Sequence, residues 1–197
     1  MLARACVYCA SSDQVAGEYL DAAFRLGQIL AEAHVTIVYG GGRLGLMGHL
    51  AEGALSRDGH IIGVIPRFMQ ELEWGHSGVT ELHTVEDMRE RKHRMLLGAD
   101  AVIALPGGCG TLEELMEAIT LKRLGLYFNP IVLVNVSGFF DPLLAQFERC
   151  IEERFMDARH GEIWQVVSVP EKVLDAIHSS QQWPANAREF AIVKPST

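Results

Sequence analysis

Several features of membrane, secreted and nucleic-acid-binding proteins are absent from this 197-residue sequence. No apolar run reaches the roughly 18 residues that a membrane-spanning helix needs, and the N-terminus shows none of the regions of a signal peptide. The net charge of −8 disfavours binding to nucleic acid or to an anionic membrane surface. We therefore expect a cytoplasmic protein in which any affinity for an anion comes from a local pocket.

Cysteine is scarce, with four residues in the chain. Cys6 and Cys9 form a Cys-x-x-Cys pair, a pattern found in redox and metal sites. The pair falls in an apolar first strand, however, where positions three apart point to opposite faces. The sequence contains no second pair with metal-ligand spacing. We expect both thiols to pack in the core, and we expect neither a metal nor a cofactor.

Apolar runs of strand length alternate with helical patterns, and the chain has no repeat, low-complexity tract or linker. The predicted strands are 4–10, 35–39, 61–65, 79–85 (the weakest), 101–105, 131–136 and 165–169. The predicted helices are 17–33, 44–57, 86–98, 111–125, 141–155 and 170–180. This alternation predicts an α/β fold, a Rossmann-like, doubly wound, mainly parallel sheet of six or seven strands with helices on both faces. We expect a single domain over 1–182, and a tail over 183–197 that docks on the body or on a partner.

The most informative stretch is 101–116, where an apolar strand leads through a glycine turn into a helix with two acids near its start. Glycines can adopt backbone angles closed to other residues and let main-chain amides approach an anion. We expect Thr111 to cap this helix and Glu114 to lie roughly 4.5 Å deeper along its axis. The residues expected at the anion are Pro106, Gly107, Gly108, Gly110 and Thr111.

This pattern has a purely structural alternative, in which the glycines serve the turn and the acids only balance the helix dipole. The position of the turn at the carboxyl end of a buried strand favours a ligand site. Because no Gly-Lys-Ser/Thr follows the turn, it is not an ATP-hydrolysing P-loop.

A second strand, turn and helix at 35–48 satisfies G-x-G-x-x-G with Gly40, Gly42 and Gly45. Alone, this pattern indicates a dinucleotide site, which also expects an acid at the end of the next strand to bind the ribose hydroxyls. That strand instead ends in Pro66-Arg67. We therefore favour a turn that lines a mononucleotide pocket, with Gly41 and Gly42 at the ligand.

The predicted helix at 86–98 places two cations on its inward stripe. Arg91 and Lys92 share that stripe with Met88, Met95 and Leu96. The simplest explanation is that their aliphatic stems cover apolar surface while their charges reach water. The alternative is contact with an anion or a leaving group, which their position just before the glycine turn favours.

Two further segments bear on the site and on assembly. The irregular stretch 66–78, with Trp74 and His76, is a candidate for a mobile loop over a site. The helix at 111–125 carries apolar residues on two faces, and such a helix needs a second partner, which favours a homodimer. The sheet-facing set is Leu112, Leu115, Met116 and Ile119, and the far set is Ala118, Leu121 and Leu124.

These motifs resemble those of the LOG family, the cytokinin riboside 5′-monophosphate phosphoribohydrolases, which are often labelled lysine decarboxylases. The likeness runs from Val7 to about Phe155. It rests on Tyr39–Gly48, Gly63–Pro66, Met88–Lys92 and Pro106–Glu114. The resemblance implies a Rossmann-like dimer that cleaves the N-glycosidic bond of a purine 5′-monophosphate, releasing free base and ribose 5-phosphate. It also implies that Arg91 and Glu114 are the catalytic residues.

The residue types suit this reaction. Breaking a ribosyl–base bond builds positive charge on the sugar, which an ionised Glu114 would stabilise while it activates water. We expect Arg91 to position the nucleotide, Met88 to contact it, and the 107–111 turn to hold the phosphate with help from Lys92. Ser11 and Ser12, which follow the first strand, would add hydroxyl donors.

Two other functions are compatible with parts of the pattern. A lysine decarboxylase would need a lysine bound to pyridoxal phosphate, and only Lys92 adjoins the expected site. A non-catalytic nucleotide-binding or carrier protein of the same fold would need the phosphate cradle but has no evident use for Arg91 with Glu114. The identity of the base stays open.

Overall fold

One fully parallel sheet organises residues 2–72 and 74–193, the part of the chain that the computed structural model describes. Its strands, in chain order, are β1 (Arg4–Tyr8), β2 (Thr36–Tyr39), β3 (Ile61–Pro66), β4 (Glu81–Val85), β5 (Ala101–Ala104), β6 (Ile131–Val134) and β7 (Gln165–Val167). They lie in the order β4-β3-β2-β1-β5-β6-β7. All seven predicted strands are confirmed, and the weakest of them, β4, is a partly exposed edge strand.

Helices cover both faces of the sheet, as the doubly wound prediction requires. They are α1 (Gly17–Glu32), α2 (Gly45–Leu55), α3 (Arg67–Glu71), α4 (Met88–Leu96), α5 (Cys109–Arg123), α6 (Asp141–Glu152) and α7 (Val173–Ser179). Residues of α1, α2 and α7 share one apolar core, and residues of α4, α5 and α6 share the other. The fold class is therefore confirmed.

Three details differ from the prediction. The stretch 66–78 is not wholly irregular, because α3 forms directly after β3. The last predicted helix begins with a 3-10 turn, Pro170–Lys172, that leads into α7. Helix α5 starts two residues early, at Cys109, so Thr111 lies inside its first turn rather than at its cap.

The Cys-x-x-Cys pair is divided between the two cores. Cys6 belongs to the core beneath α4 to α6, and Cys9 belongs to the core beneath α1 and α2. Burial raises the pKa of Cys6 to about 12 and raises that of Cys9 still further. Both thiols are thus poor nucleophiles, and the core-packing interpretation of this pair is confirmed.

The described part of the predicted tail, 183–193, docks on the body, and residues 194–197 lie outside the part of the chain that the structure describes. Trp183, Ala187 and Phe190 are buried in the same core as α5. The Lys122 ammonium lies 5.6 Å from the centre of the Trp183 ring, and burial lowers the pKa of Lys122 to about 8. Ala118, which we assigned to the far face of α5, is fully buried in this core, so the two-face division of the helix was wrong at that position.

The direction of the strand order changes between β1, the central strand, and its neighbour β5. The loops that follow them turn to opposite faces of the sheet and open a crevice at the carboxyl ends of the strands, the usual ligand position in such sheets. Within the described ranges, none of the helices combines the length and apolarity needed to cross a membrane.

Candidate active site

A cleft of about 600 Å³ lies at the carboxyl ends of the central strands. The loops after β1, β2 and β5 contribute to it, together with the starts of α2, α4 and α5. Among the predicted site residues, the structure brings nine to its wall, namely Ser11, Ser12, Gly42, Met88, Arg91, Gly108, Gly110, Thr111 and Glu114. These residues come from four separate parts of the chain, so the fold assembles them.

A buried ion pair joins Arg91 and Glu114 at the cleft. The Arg91 Nη1 donates to Glu114 Oε1 at 2.7 Å, and the two residues are only 5% and 3% exposed. Helix α4 brings the arginine and α5 brings the glutamate. Removing one member of such a pair leaves an uncompensated buried charge, which is strongly unfavourable.

The Arg91 guanidinium is fixed by two backbone carbonyls as well. Its Nε donates to the carbonyl oxygen of Val64 at 3.1 Å, and its Nη2 donates to that of Gly40 at 3.1 Å. A Cβ at position 40 would collide with this guanidinium. Glycine is thus required at the end of β2 because the arginine occupies the space where a side chain would stand.

The protonation of Glu114 reflects two opposing effects. Burial raises the pKa of this carboxyl above its ordinary value of 4.5, and the Arg91 guanidinium counteracts part of that rise. A carboxylate with a raised pKa is better suited to accept a proton near neutral pH than an ordinary glutamate is.

The N-terminus of α5 opens into the cleft without a side-chain cap. Gly108 is the N-cap residue, and its position supplies no side-chain hydrogen bond to the first amides of the helix. Those amides have no partner within the helix, and they carry the positive end of its dipole. A Cβ at Gly108 or Gly110 would meet nothing within 4 Å. The helix start therefore offers open N–H donors to an anion.

Of the two predicted reasons for the glycines of this turn, the need for special backbone angles was wrong. Gly107, Gly108 and Gly110 all lack a positive φ, so none of them is needed for a left-handed conformation. At Gly107, a Cβ would collide with the side chain of Thr111, which packs over it. Gly108 and Gly110 instead leave space, so the absence of a side chain matters here and the backbone angle does not.

The turn between β2 and α2 packs on the protein itself. Gly41 and Gly45 have φ values of 76° and 59°, in the left-handed region that favours glycine. A Cβ at Gly45 would collide with the backbone of Ser11 and Ser12. This close approach seats the loop after β1 against the start of α2, with the exposed Ser11 and Ser12 at the cleft.

Four predicted site residues do not line the cleft. Pro106 and Gly41 are buried beside it, where their carbonyls accept from the amides of Ala10 and His76. Gly107 lies under Thr111. The Lys92 ammonium forms ion pairs with the carboxylates of Glu113 and Glu117 on α5.

Several lining residues were not among the predicted site residues. Arg43 and Leu44 come from the second glycine turn, Met69 comes from α3, and Trp74 comes from the segment after α3. Only Trp74 carried a signal, as a large aromatic in a polar, irregular stretch. The others reach the cleft through the path of the chain, which no local pattern indicates.

Comparison with known proteins places this geometry in context. A family model described as "possible lysine decarboxylase" matches residues 47–177. The cytokinin riboside 5′-monophosphate phosphoribohydrolase LOG3 of Arabidopsis thaliana is 42% identical over 167 residues, which is 85% of this chain and 77% of that protein. The Arabidopsis thaliana phosphoribohydrolase LOG1 is 43% identical over 159 residues, 80% of this chain and 75% of that protein.

Solved structures share the fold at lower identity. The molybdenum cofactor binding protein of Rippkaea orientalis matches with a TM-score of 0.69 and 24% identity, over 91% of this chain and 97% of that one. The molybdenum cofactor carrier protein of Chlamydomonas reinhardtii matches with a TM-score of 0.69 and 19% identity, over 91% and 98% of the two chains. At these identities the likeness concerns the fold alone.

Proposed function

We propose, from the premise that this chain belongs to the LOG family of phosphoribohydrolases, that it hydrolyses the N-glycosidic bond of a purine riboside 5′-monophosphate of the cytokinin type. The products would be the free base and ribose 5-phosphate. The observation that carries the proposal is the buried pair of Arg91 and Glu114, which stands in one cleft with the uncapped start of α5.

The phosphate binds at the start of α5 in this proposal. The amides of Cys109, Gly110 and Thr111 have no partner inside the helix, and the dipole adds to their attraction for an anion. The hydroxyls of Ser11 and Ser12 lie on the same cleft and would complete the set of donors. These groups would hold the sugar by its 5′ end.

Glu114 then acts on the anomeric carbon. As the C1′–N bond breaks, its electron pair leaves with the base and positive charge develops on the sugar, which the carboxylate stabilises. A water oxygen bonds to C1′ and loses a proton to Glu114, the departing base takes a proton from solvent, and Glu114 then returns its proton to solvent. The raised pKa of Glu114 favours its role as proton acceptor.

Arg91 orients Glu114 and still has N–H groups that can bind substrate. Of the five N–H groups of a guanidinium, three are engaged by Val64, Gly40 and Glu114. We assign the remaining two to the nucleotide, at the departing base or at the ribose phosphate. Lys92, tied to α5 by two carboxylates, would have to leave them to reach a phosphate.

The chemistry that the description "possible lysine decarboxylase" suggests does not fit these residues. A pyridoxal phosphate enzyme needs a neutral lysine amine to form the Schiff base. Lys92 is paired with two carboxylates that raise the pKa of its ammonium. Lys122 lies in the core beside Trp183 and contacts the carbonyl of Asn129, away from the cleft.

The second candidate function is nucleotide or cofactor carriage without bond cleavage. Two structural neighbours are a binding protein and a carrier protein for the molybdenum cofactor. Such a protein would use the cradle at α5 but would have no evident use for a buried arginine–glutamate pair in the same cleft. The presence of Arg91 with Glu114 therefore favours the hydrolase.

We also propose a homodimer. The ends of α4 and α5 expose Leu97 and Leu126 at 62% and 57%, beside a second cleft of about 420 Å³ that Leu121 lines. An apolar patch of this kind is typical of an interface between protein chains. Light scattering on the purified protein would show twice the mass of the chain, and Leu97→Asp should shift it to the monomer.

The decisive test is product formation. The purified protein is incubated with AMP and with N6-isopentenyladenosine 5′-monophosphate, and free base and ribose 5-phosphate are quantified by chromatography. Equal amounts of both products, lost in Glu114→Gln, would support hydrolysis. Tight binding without product after long incubation would favour the carrier.

A further inference from the structure

The wall of the cleft is chemically divided. At one end lie the hydroxyls of Ser11, Ser12 and Thr111 beside the start of α5. At the other end lie the apolar side chains of Ile65, Met69, Met88 and Trp74. A nucleotide has the same division between its phosphate and its base.

The two ends are separated by a distance that a nucleotide can span. Helix α5 follows β5 and α3 follows β3, and the strands between them stand in the order β3-β2-β1-β5. Three strand spacings of about 4.8 Å give roughly 14 Å. With its phosphate at α5 and its C1′ near Glu114, a nucleotide would direct its base at the apolar end.

Trp74 is the largest side chain at that end. Of the three tryptophans in the chain, Trp183 is 5% exposed and Trp164 stacks on Phe147, but Trp74 is 48% exposed on the cleft. An indole that is both exposed and held at a cleft offers a flat apolar surface to a ligand.

The backbone of Trp74 is held on both sides. Its N–H donates to the carbonyl of Met69 at 3.2 Å, and its carbonyl accepts from the amide of Arg43 at 3.0 Å. Two residues on, the His76 amide donates to the carbonyl of Gly41 at 2.9 Å. The segment is therefore attached to the second glycine turn rather than loose above it.

His76 anchors the same segment to α2. Its imidazole is 8% exposed, and its Nδ1 accepts from the amide of Gly78 at 3.1 Å. Its Nε2 must then carry the hydrogen, which it donates to Glu52 Oε1 at 3.0 Å. The contact holds the Trp74 segment at the position from which the indole lines the cleft.

We propose that Trp74 is a specificity-determining residue that packs against an apolar N6 substituent of the purine base. The inference rests on the proposed function. Apart from the indole N–H, the side chains of Ile65, Met69, Met88 and Trp74 offer no hydrogen-bond donor to the polar edge of a base. Selection at this wall therefore depends on apolar contact, which favours an N6-alkylated adenine nucleotide over AMP and discriminates weakly against a hydroxyl on the alkyl group.

The experiment compares kcat/KM for AMP and for N6-isopentenyladenosine 5′-monophosphate in four proteins: the wild type, Trp74→Ala, Trp74→Phe and Phe68→Ala. Phe68 is the matched control, because it is an aromatic of α3 with 49% exposure that does not line the cleft. Trp74→Ala should lower kcat/KM about 30-fold for the alkylated nucleotide and about threefold for AMP, in line with the effect of losing apolar contact area.

The selectivity, defined as the ratio of the two kcat/KM values, should thus fall about tenfold in Trp74→Ala. Trp74→Phe should restore most of it, and Phe68→Ala should keep the wild-type value. A selectivity within twofold of the wild type in Trp74→Ala would overturn the inference while leaving the hydrolase intact.

Tryptophan fluorescence gives a readout that needs no turnover. In the Glu114→Gln background, titration with the alkylated nucleotide should quench the emission, and Trp74→Phe should remove the quenching. If the wild type bound the nucleotide with this quenching but cleaved nothing, the proposed function would fail and the role of Trp74 would stand. Nucleotide binding without any Trp74-dependent change in emission would overturn the role of Trp74.

Discussion

The two glycine turns of this protein look alike in sequence and differ in what fills the space beside them. At the turn after β2, the space next to Gly40 is taken by the Arg91 guanidinium, and the space next to Gly45 is taken by the loop after β1. At the turn after β5, the space next to Gly108 and Gly110 is open. The first turn accommodates the protein's own groups, and the second leaves room for a ligand.

This difference shows that a glycine-rich turn has to be interpreted through its neighbours. The pattern G-x-G-x-x-G indicates a dinucleotide site when a ligand occupies the space beside its glycines. Here the same pattern lets an arginine approach the end of β2 and form the ion pair with Glu114. The first turn thus leaves space for the arginine, and the second leads into the helix that carries the glutamate and forms the anion site.

The largest expected effect is at the acid that follows the open turn. Glu114→Gln should lower kcat at least about 10³-fold, because the amide can neither stabilise the sugar cation by charge nor accept a proton from water. Base release from the alkylated nucleotide measures it. Glu113→Gln is the control, since that side chain is 56% exposed, and it should stay within about threefold of the wild type. Equal losses in both variants would contradict the assignment.

A substitution in the turn after β2 should destabilise the fold rather than weaken substrate binding. Gly45→Ala introduces a Cβ at a positive φ and against the backbone of Ser12, and should lower the free energy of unfolding by about 2 kcal/mol or more. Urea denaturation measures this change. Gly17→Ala, at the open start of α1, should change stability by less than about 0.5 kcal/mol. Equal stability of the two variants would remove the distinction between the turns.

A substitution in the turn after β5 should have the opposite effect. It should weaken substrate binding without destabilising the fold. Gly110→Ala adds a methyl group in the first turn of a helix with no protein atom within 4 Å, so it should raise the free energy of unfolding by no more than about 0.5 kcal/mol. The same methyl group would intrude on the phosphate, and KM should rise about tenfold, a loss of about 1.4 kcal/mol in binding. An unchanged KM would place the phosphate elsewhere.

The interaction between Arg91 and Glu114, which the two turns position, should appear in the pH dependence of kcat/KM. The active form of Glu114 is the carboxylate, so kcat/KM should fall as the pH drops through the pKa of Glu114, which burial raises above 4.5. Arg91 lowers that pKa, so Arg91→Gln should move the acid limb to higher pH as well as reduce the rate. A pH–rate profile of each protein measures the shift. An acid limb that stays in place in Arg91→Gln would show that the pair is not coupled in the reaction.

The smallest effect is expected at Lys92. Its partners Glu113 and Glu117 are 56% and 42% exposed, and ion pairs with such exposed carboxylates contribute about 1 kcal/mol or less. Lys92→Met should therefore lower stability by no more than that and change KM less than about threefold. A KM raised tenfold or more would show that Lys92 leaves the carboxylates to hold the phosphate.

The alternation of apolar runs predicted the strands and the doubly wound layers because strand and helix periodicities are local properties of the chain. Arg91, Glu114 and the turn at 106–111 were also recognisable, since helix phase and glycine spacing place them. Thr111 was misplaced as a cap because helix ends are weakly encoded in short segments, and here the first turn begins at the glycines themselves. Helix α3 was missed because five residues show too little periodicity.

What the sequence determined by itself is the set of elements and their chemistry: seven strands, a cationic stripe on α4, and a carboxylate one turn into α5. Only the tertiary structure decided which of the spaces beside the glycines are occupied by other groups of the protein. It placed Arg91 between the carbonyls of Val64 and Gly40, tied Lys92 to α5, and set Trp74 at the cleft. The physical reason is that occupancy of a space depends on groups distant in the chain, whereas periodicity and spacing describe only neighbours.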